Sequence, residues 1–268
     1  MRKIRKGDIV ARKSYGKDIY FKVSNIIEKT NEEVAILNGL VERIEADSPV
    51  SDLEIISKEE VRKRIGNLDR ILEKRIFMAD KKRSNENIVS GKILHLDGDR
   101  KYSEKSYNYY KKVGLNAVVK NIPEYKQPRV VRRLLDIYNP DILVITGHDG
   151  MLRRGAKYHD IYNYRNSKYF IETVKEARKY DKEKQKNLVI FAGACQSYFE
   201  ALISAGANFA SSPARILIDF LDPLLVAEKI ATTEKYKYIT IDDIAYELRD
   251  GKDGVSGIGA NGKLKKLI

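Results

Sequence analysis

The chain contains one cysteine, Cys195, set in Gly193-Ala194-Cys195-Gln196-Ser197 directly after the apolar run Leu188 to Phe191. A second apolar run, Ile142 to Ile145, leads into Thr146-Gly147-His148-Asp149-Gly150. A thiol and an imidazole are sufficient for nucleophilic cleavage of a peptide bond. The thiolate attacks the carbonyl, and the imidazolium stabilises that thiolate and then protonates the leaving amine. The reaction also needs donors for the developing oxyanion. The amide of Cys195 and an amide at Asp149 or Gly150 are the candidates. A cysteine is often a small buried hydrophobe, but Cys195 stands at the end of a strand-like run among small residues. Open α/β sheets present their chemistry at such strand ends.

The elements that must carry these residues read as α/β from Gly91 onward. Strands are expected at Lys92–Leu96, Asn116–Val119, Ile142–Ile145, Leu188–Phe191 and Ala207–Ser211, with a late one at Tyr238–Ile241. Helices are expected at Tyr102–Val113, Arg129–Tyr138, Ser167–Tyr180, Tyr198–Ala205 and Leu221–Ala231. Short apolar runs alternating with helical periods give a mainly parallel sheet flanked by helices, with right-handed crossovers. The two candidate catalytic residues would then follow different strands of one sheet and meet at its carboxyl edge.

Ahead of this domain, residues 1–57 read as a small SH3-like β-barrel. Its strands are expected at Asp8–Arg12, Ile19–Val23, Glu33–Leu37 and Leu40–Ala46, with turns at Gly16, Thr30-Asn31 and Asn38-Gly39. Residues 58–87 are expected to link the two domains, with a helix over Lys58–Ala79 carrying Val61, Ile65, Leu68 and Leu72 on one face, then a polar connection. The peptidase-like domain would occupy 88–268.

The composition excludes several classes. One cysteine rules out an internal disulfide framework and a Cys-rich zinc site. His95, Asp97 and Asp99 are too close along one segment for a complete metal site, so neither metal nor cofactor is expected. Gly193-Ala194-Cys195-Gln196-Ser197 is not a serine-hydrolase elbow, and no phosphate-binding glycine loop is present. No apolar run reaches membrane-spanning length and no secretion signal is expected. Lys plus Arg number 51 against 38 Asp plus Glu, a net charge of +13, which favours acidic protein surfaces and does not by itself specify nucleic acid. A basic, non-catalytic binding or assembly protein is the alternative that this charge supports.

The two motifs resemble the paired signatures of the caspase–gingipain–clostripain class of cysteine peptidases, whose caspase branch has its histidine roughly 50 residues upstream of the cysteine. The chain departs from the caspase pattern at Asp149 and Ser197, which stand where that pattern has glycine. A closer resemblance, over nearly the whole chain, is to a family of sporulation-specific peptidases of spore-forming Firmicutes. It rests on Gly7-Asp8-Ile9-Val10, Leu94-His95-Leu96-Asp97-Gly98-Asp99, both catalytic motifs, Ala205–Pro213 and Ile216–Ile230. The resemblance implies a caspase-like fold, a His148–Cys195 dyad, processing of spore coat and related proteins, and cutting after arginine. It also implies a mother-cell cytoplasmic origin with later coat association. An arginine-accepting pocket needs a carboxylate. In caspase-like enzymes a residue just after the first strand reads the residue before the cut, so Asp97 or Asp99 is expected to do so, ahead of Asp149, Asp219 and Asp222. Arg153 or Arg154 would be candidate self-processing sites, and His159 is a weaker rival to His148.

Overall fold

In a computed structural model of the chain, residues 2–29, 32–66, 73, 88–152 and 158–266 are described. The N-terminal unit comprises β1 (Ile9–Arg12), β2 (Tyr20–Lys29), β3 (Glu32–Gly39), β4 (Glu45–Pro49) and β5 (Leu53–Ile55). These form one antiparallel sheet in the order β4-β3-β2-β1-β5. Val10, Phe21, Val23, Ala35 and Leu37 are fully buried in it.

Two expectations are corrected here. The fourth strand begins at Glu45 rather than Leu40, and β5 was not foreseen. Residues 40–43 leave the sheet as a tight loop closed by the Gly39 amide on the Ile44 carbonyl at 2.8 Å. Gly39 is required there, because a Cβ would stand 2.1 Å from the Glu42 carbonyl oxygen. Glu42 and Arg43 are buried, yet Arg43 turns toward the following domain.

Residues 58–66 form helix α1; the rest of the expected linker helix, apart from residue 73, and the 80–87 connection lie outside the described residues. The second unit contains β6 (Ile88–Val89), β7 (Ile93–Asp97), α2 (Arg100–Lys112), β8 (Ala117–Asn121), α3 (Gln127–Tyr138), β9 (Ile142–Thr146), α4 (Ser167–Lys184), β10 (Val189–Ala192), α5 (Phe199–Ser204), β11 (Phe209–Ser211), α6 (Asp222–Thr232), β12 (Tyr238–Ile239), α7 (Gly251–Gly254), β13 (Val255–Gly257), β14 (Ala260–Asn261) and β15 (Lys265–Lys266). Its main sheet runs β13-β11-β10-β9-β7-β8, parallel throughout except for β13, which is antiparallel at the edge. The expected strand at Tyr238–Ile241 is shorter and pairs with β14 outside this sheet.

Strands β7, β9 and β10 are buried at every position, as runs such as Ile142–Ile145 require when helices cover both faces. Helices α2 and α6 pack on one face, around Tyr109, Tyr110, Leu224 and Ile230; α3, α4 and α5 pack on the other, around Leu135, Phe170, Val174 and Leu202. No helix among the described residues is long and apolar enough to cross a membrane. Register aligns Asp97 with Thr146, and Ile145 with Ala192. The carboxyl ends of β7, β9 and β10 therefore lie side by side. Because β7 sits between β8 and β9, the chain reverses its direction of winding between β7 and β9, and that is where such sheets open a binding crevice.

Candidate active site

The crevice is built from the residues that follow those three strands. Cys195 comes three positions after β10, His148 two after β9, and Asp97 ends β7. Gly193 has φ +110°, a conformation that favours glycine, and a Cβ on it would press 2.5 Å from Ser211 Oγ. The turn it makes aims Cys195 toward Ile218, whose amide donates to Sγ at 3.4 Å. His148 is anchored by its main chain: its amide donates to Glu124 Oε1 at 2.8 Å, and its carbonyl accepts from Asn166 Nδ2 at 2.8 Å. Its ring meets the edge of Tyr102, with centroids 6.0 Å apart, and Nε2 lies 3.9 Å from Asp99 Oδ2. No hydrogen bond joins the Cys195 thiol to the His148 ring among the described residues.

The space in the crevice is filled by the chain itself. Arg43, fully buried, reaches from the N-terminal loop and sets Nη1 2.7 Å from Asp97 Oδ2. Its guanidinium also lies over the Tyr102 ring, 4.8 Å from the centroid. The Arg43 carbonyl accepts from the Asp149 amide at 3.3 Å, and Glu45 returns its own amide to the Asp149 carbonyl at 3.2 Å. Ile44 thus forms a parallel bridge with Asp149 and packs in the same apolar cluster as Cys195, Ile218 and Phe21. Asp149 is therefore the expected oxyanion donor whose amide faces a carbonyl. The Gly150 amide is instead occupied by Asp149 Oδ1 at 2.9 Å.

Asp97 and Asp99 have separate tasks in this arrangement. Besides Arg43, the Asp97 carboxylate accepts from the Asp99 amide at 2.9 Å and the Thr146 hydroxyl at 2.8 Å. Asp99 caps α2, accepting from the Tyr102 amide at 3.0 Å, while its other oxygen faces His148. The remaining acidic candidates are spent elsewhere. Asp222 accepts from the amides of Asp219 and Arg249, and Asp219 from that of Leu221. His159 is exposed and lies against Tyr198. Arg153 and Arg154 fall outside the described residues.

The two residues that depart from the caspase pattern are bonded to each other. Asp149 Oδ2 accepts from Ser197 Oγ at 2.8 Å and from the Ser167 hydroxyl, while Oδ1 accepts from the amides of Gly150 and Asn166. The carboxylate thereby ties the histidine loop to the cysteine loop and to the start of α4. Burial nevertheless raises Asp149 to about 6.

Electrostatics describe a resting site. Burial pushes the Cys195 thiol up to about 12, although the Ile218 amide, the Arg249 and Arg43 charges and the Arg43 main chain pull the other way. Burial also lowers His148, with Asp99 and Asp97 opposing. Thiol and imidazole therefore stand neutral near pH 7. Burial works to raise Asp97, but Arg43, His95 and the hydrogen bonds outweigh it and hold the carboxyl below its ordinary value. His95, lowered to about 3 by burial, shares its ring nitrogens with Thr146 and Tyr110.

Sequence patterning did not single out Arg43, Glu124 or Tyr102. Arg43 sat inside an alternating run read as a strand, and the available signal was an Arg–Ile bond just after an Asn-Gly turn. Glu124 follows Pro123 in a polar stretch with nothing to mark it.

The YabG peptidase U57 family profile matches residues 5–268, nearly the full chain. The chain belongs to the YabG peptidase U57 family. It is therefore a peptidase, a hydrolase of peptide bonds. Among curated relatives, the sporulation-specific protease YabG of Bacillus subtilis (strain 168) is 40% identical over 279 residues, covering 97% of this chain and 96% of that protein. No solved structure matches. In this YabG-family chain a fully buried arginine of the N-terminal loop thus meets a fully buried carboxylate at the end of β7.

Proposed function

We propose that the protein is a cysteine endopeptidase of sporulation that cuts after arginine. Cys195 is the nucleophile, His148 the acid/base group, and the amides of Cys195 and Asp149 hold the oxyanion. Asp97 reads the arginine guanidinium. The observation that carries this reading is the Arg43–Asp97 contact at 2.7 Å, with the same arginine's carbonyl on the Asp149 amide. The guanidinium is held by Asp97 and the carbonyl by the Asp149 amide, and the next residue, Ile44, packs in the apolar cluster of Cys195, an arrangement that supports a cut after arginine. Asp99, facing His148 at 3.9 Å, is a positioning residue rather than the reader.

Strand order supports a caspase-like scaffold. Counted within the domain it is 2-1-3-4-5 followed by an antiparallel edge, with chemistry at the 1/3 switch point. The meander β4-β3-β2-β1-β5, with a short 3-10 turn at Val50–Asp52 before β5, supports an SH3-like N-terminal module. Residues 1–57, 58–87 and 88–268 are the proposed module, linker and peptidase domain. Substrates are spore coat and related proteins, met in the mother-cell cytoplasm and on the coat, as the Bacillus subtilis relative's description as a sporulation-specific protease supports. The net charge of +13 suits acidic substrate surfaces.

The test compares purified wild type with Cys195→Ala on an arginine-containing spore coat protein, reading fragments by intact mass. Fragments ending in arginine should form with wild type and vanish with Cys195→Ala. Equal fragmentation by both proteins would rule out Cys195 as nucleophile.

A further inference from the structure

We infer that Val41–Glu45 lies in the crevice as the enzyme's own substrate, and that the Arg43–Ile44 peptide bond is a self-processing site whose cleavage opens the enzyme. The inference rests on the cysteine-peptidase reading above but goes beyond it, because it assigns a specific bond in this chain.

Six contacts hold residues 40–45 as a substrate would be held. The Arg43 side chain fills the pocket that ends on Asp97, at 2.7 Å. Its carbonyl accepts from the Asp149 amide at 3.3 Å, on the proposed oxyanion side. On the far side of the bond, Ile44 packs with Cys195 and Ile218, and Glu45 bonds the Asp149 carbonyl at 3.2 Å. Upstream, Tyr102 Oη donates to the Val41 carbonyl and Lys101 Nζ to the Leu40 carbonyl at 3.0 Å. A surface loop has no need of this arrangement. Burying an arginine is costly, and here the guanidinium is met by the crevice carboxylate and the Tyr102 ring.

The step balances with water as the sole co-reactant. Cys195 Sγ bonds to the Arg43 carbonyl carbon and the Arg43–Ile44 C–N bond breaks. The thiol proton passes through His148 to the Ile44 nitrogen, which leaves as an amine. Water then hydrolyses the thioester, leaving the Arg43 carboxyl and restoring the thiol. The cut falls in the loop between β3 and β4, so both ends stay paired in the sheet while being freed from each other. A cleft of about 650 Å³ bordered by Ile44, Ala46, Gln196 and Ile216 adjoins the new amino end. Until the cut, the enzyme is closed to other substrates: Cys195 and Arg43 have no exposed surface.

The experiment follows full-length wild type, Cys195→Ala, Arg43→Gln and Arg43→Lys after purification, with amino-terminal sequencing and hydrolysis of a separate arginine peptide on the same time course. Wild type should yield a new terminus at Ile44, at a rate independent of protein concentration. Peptide hydrolysis should rise in step with it. Cys195→Ala should stay whole. Arg43→Gln should lose this cut, and Arg43→Lys, which keeps the charge and the fold, should slow it. Peptide hydrolysis by wild type without a cut at Arg43–Ile44, or full hydrolysis before any cut, would overturn the inference and leave the cysteine-peptidase reading standing. Neither cut nor peptide hydrolysis would overturn both. A cut rate proportional to concentration would overturn the intramolecular geometry.

Discussion

A carboxylate sealed from water is tolerable only when its charge is met, and Asp97 meets its charge in three ways: Arg43, the Thr146 hydroxyl and the Asp99 amide. If Asp97 reads arginine, Asp97→Asn should lower kcat/KM for arginine peptides by about 100- to 1000-fold, ~3–4 kcal/mol. Uncharged peptides should change far less, and an equal loss for them would move the pocket elsewhere. The same substitution probes folding. In a Cys195→Ala background it should cost about 3–5 kcal/mol in denaturant unfolding, because Arg43 is left buried and unpaired. Adding Arg43→Met should recover most of that cost. The pH dependence has a definite sign. Asp97 is depressed below 3.8 in the fold, so its contribution is present above that value and lost as pH falls through the folded one. Cys195, His148 and Asp97 were legible in sequence because each ends or follows a buried run. Arg43 was not, because its partner is 54 positions away (97 − 43) and only the fold brings them together.

Elements set how accurately those residues sit, and the turn Glu124–Lys126 before α3 is the one that fixes the histidine. Glu124 accepts from the His148 amide and lies over two glycines: a Cβ on Gly98 or Gly147 would come 2.0 or 2.3 Å from Glu124 Oε1. The carboxylate is the far end of a flexible side chain, so Gly147→Ala should fold but push it aside and release the His148 amide. A displacement of an ångström or less commonly costs up to about 100-fold in rate. The expected result is a 10- to 100-fold fall in kcat with KM little changed; an unchanged kcat would mean the anchor is dispensable. Glu124 also predicts a pH effect. Burial raises it from 4.5 to about 7, so its contribution to stability is full below 4.5 and lost as pH rises through 7. Relative to a Cys195→Ala parent, Glu124→Gln should gain about 1–3 kcal/mol between pH 5 and pH 8, with the histidines cancelling in the comparison. A constant difference across that range would show that Glu124 does not titrate there. The sheet's inner strands were legible for the reason they form: unbroken apolar runs such as Val189–Phe191 have no polar face to expose. Residues 40–43 misled because their alternation continues that of a strand, yet buried Glu42 pairs with Arg64 of α1 and buried Arg43 with Asp97 of the second unit. β13 was hidden in Gly251–Gly257, where Gly257 is needed for close approach: a Cβ would lie 2.1 Å from the Asn208 carbonyl oxygen.

At the scale of the molecule, the N-terminal sheet is a cover whose fastening can be loosened without touching the chemistry. Arg165, just before α4, donates Nε to the Glu45 carbonyl at 3.0 Å and Nη1 to the Glu45 carboxylate at 3.3 Å, and it pairs with Asp47. It grips β4 immediately after the proposed cut. Its side chain is only 13% exposed, so these charge-assisted bonds are screened less than surface pairs, and their loss should cost about 1–2 kcal/mol. That loss falls on opening of the cover rather than on global unfolding, because the α/β core does not depend on it. The single cysteine supplies a clean reporter. Sealed and protonated, Cys195 should resist alkylation in an uncut chain and react only during opening. In a His148→Ala background, which prevents processing, Arg165→Ala should speed Cys195 alkylation by roughly 10-fold, as a 1.4 kcal/mol easier opening requires. The unfolding midpoint should move little. If alkylation is already fast in the His148→Ala parent, the thiol is not covered in solution. If it is slow and Arg165→Ala leaves it unchanged, the seal is carried by Arg43 and Ile44 alone, and β4 can leave its place without uncovering the nucleophile.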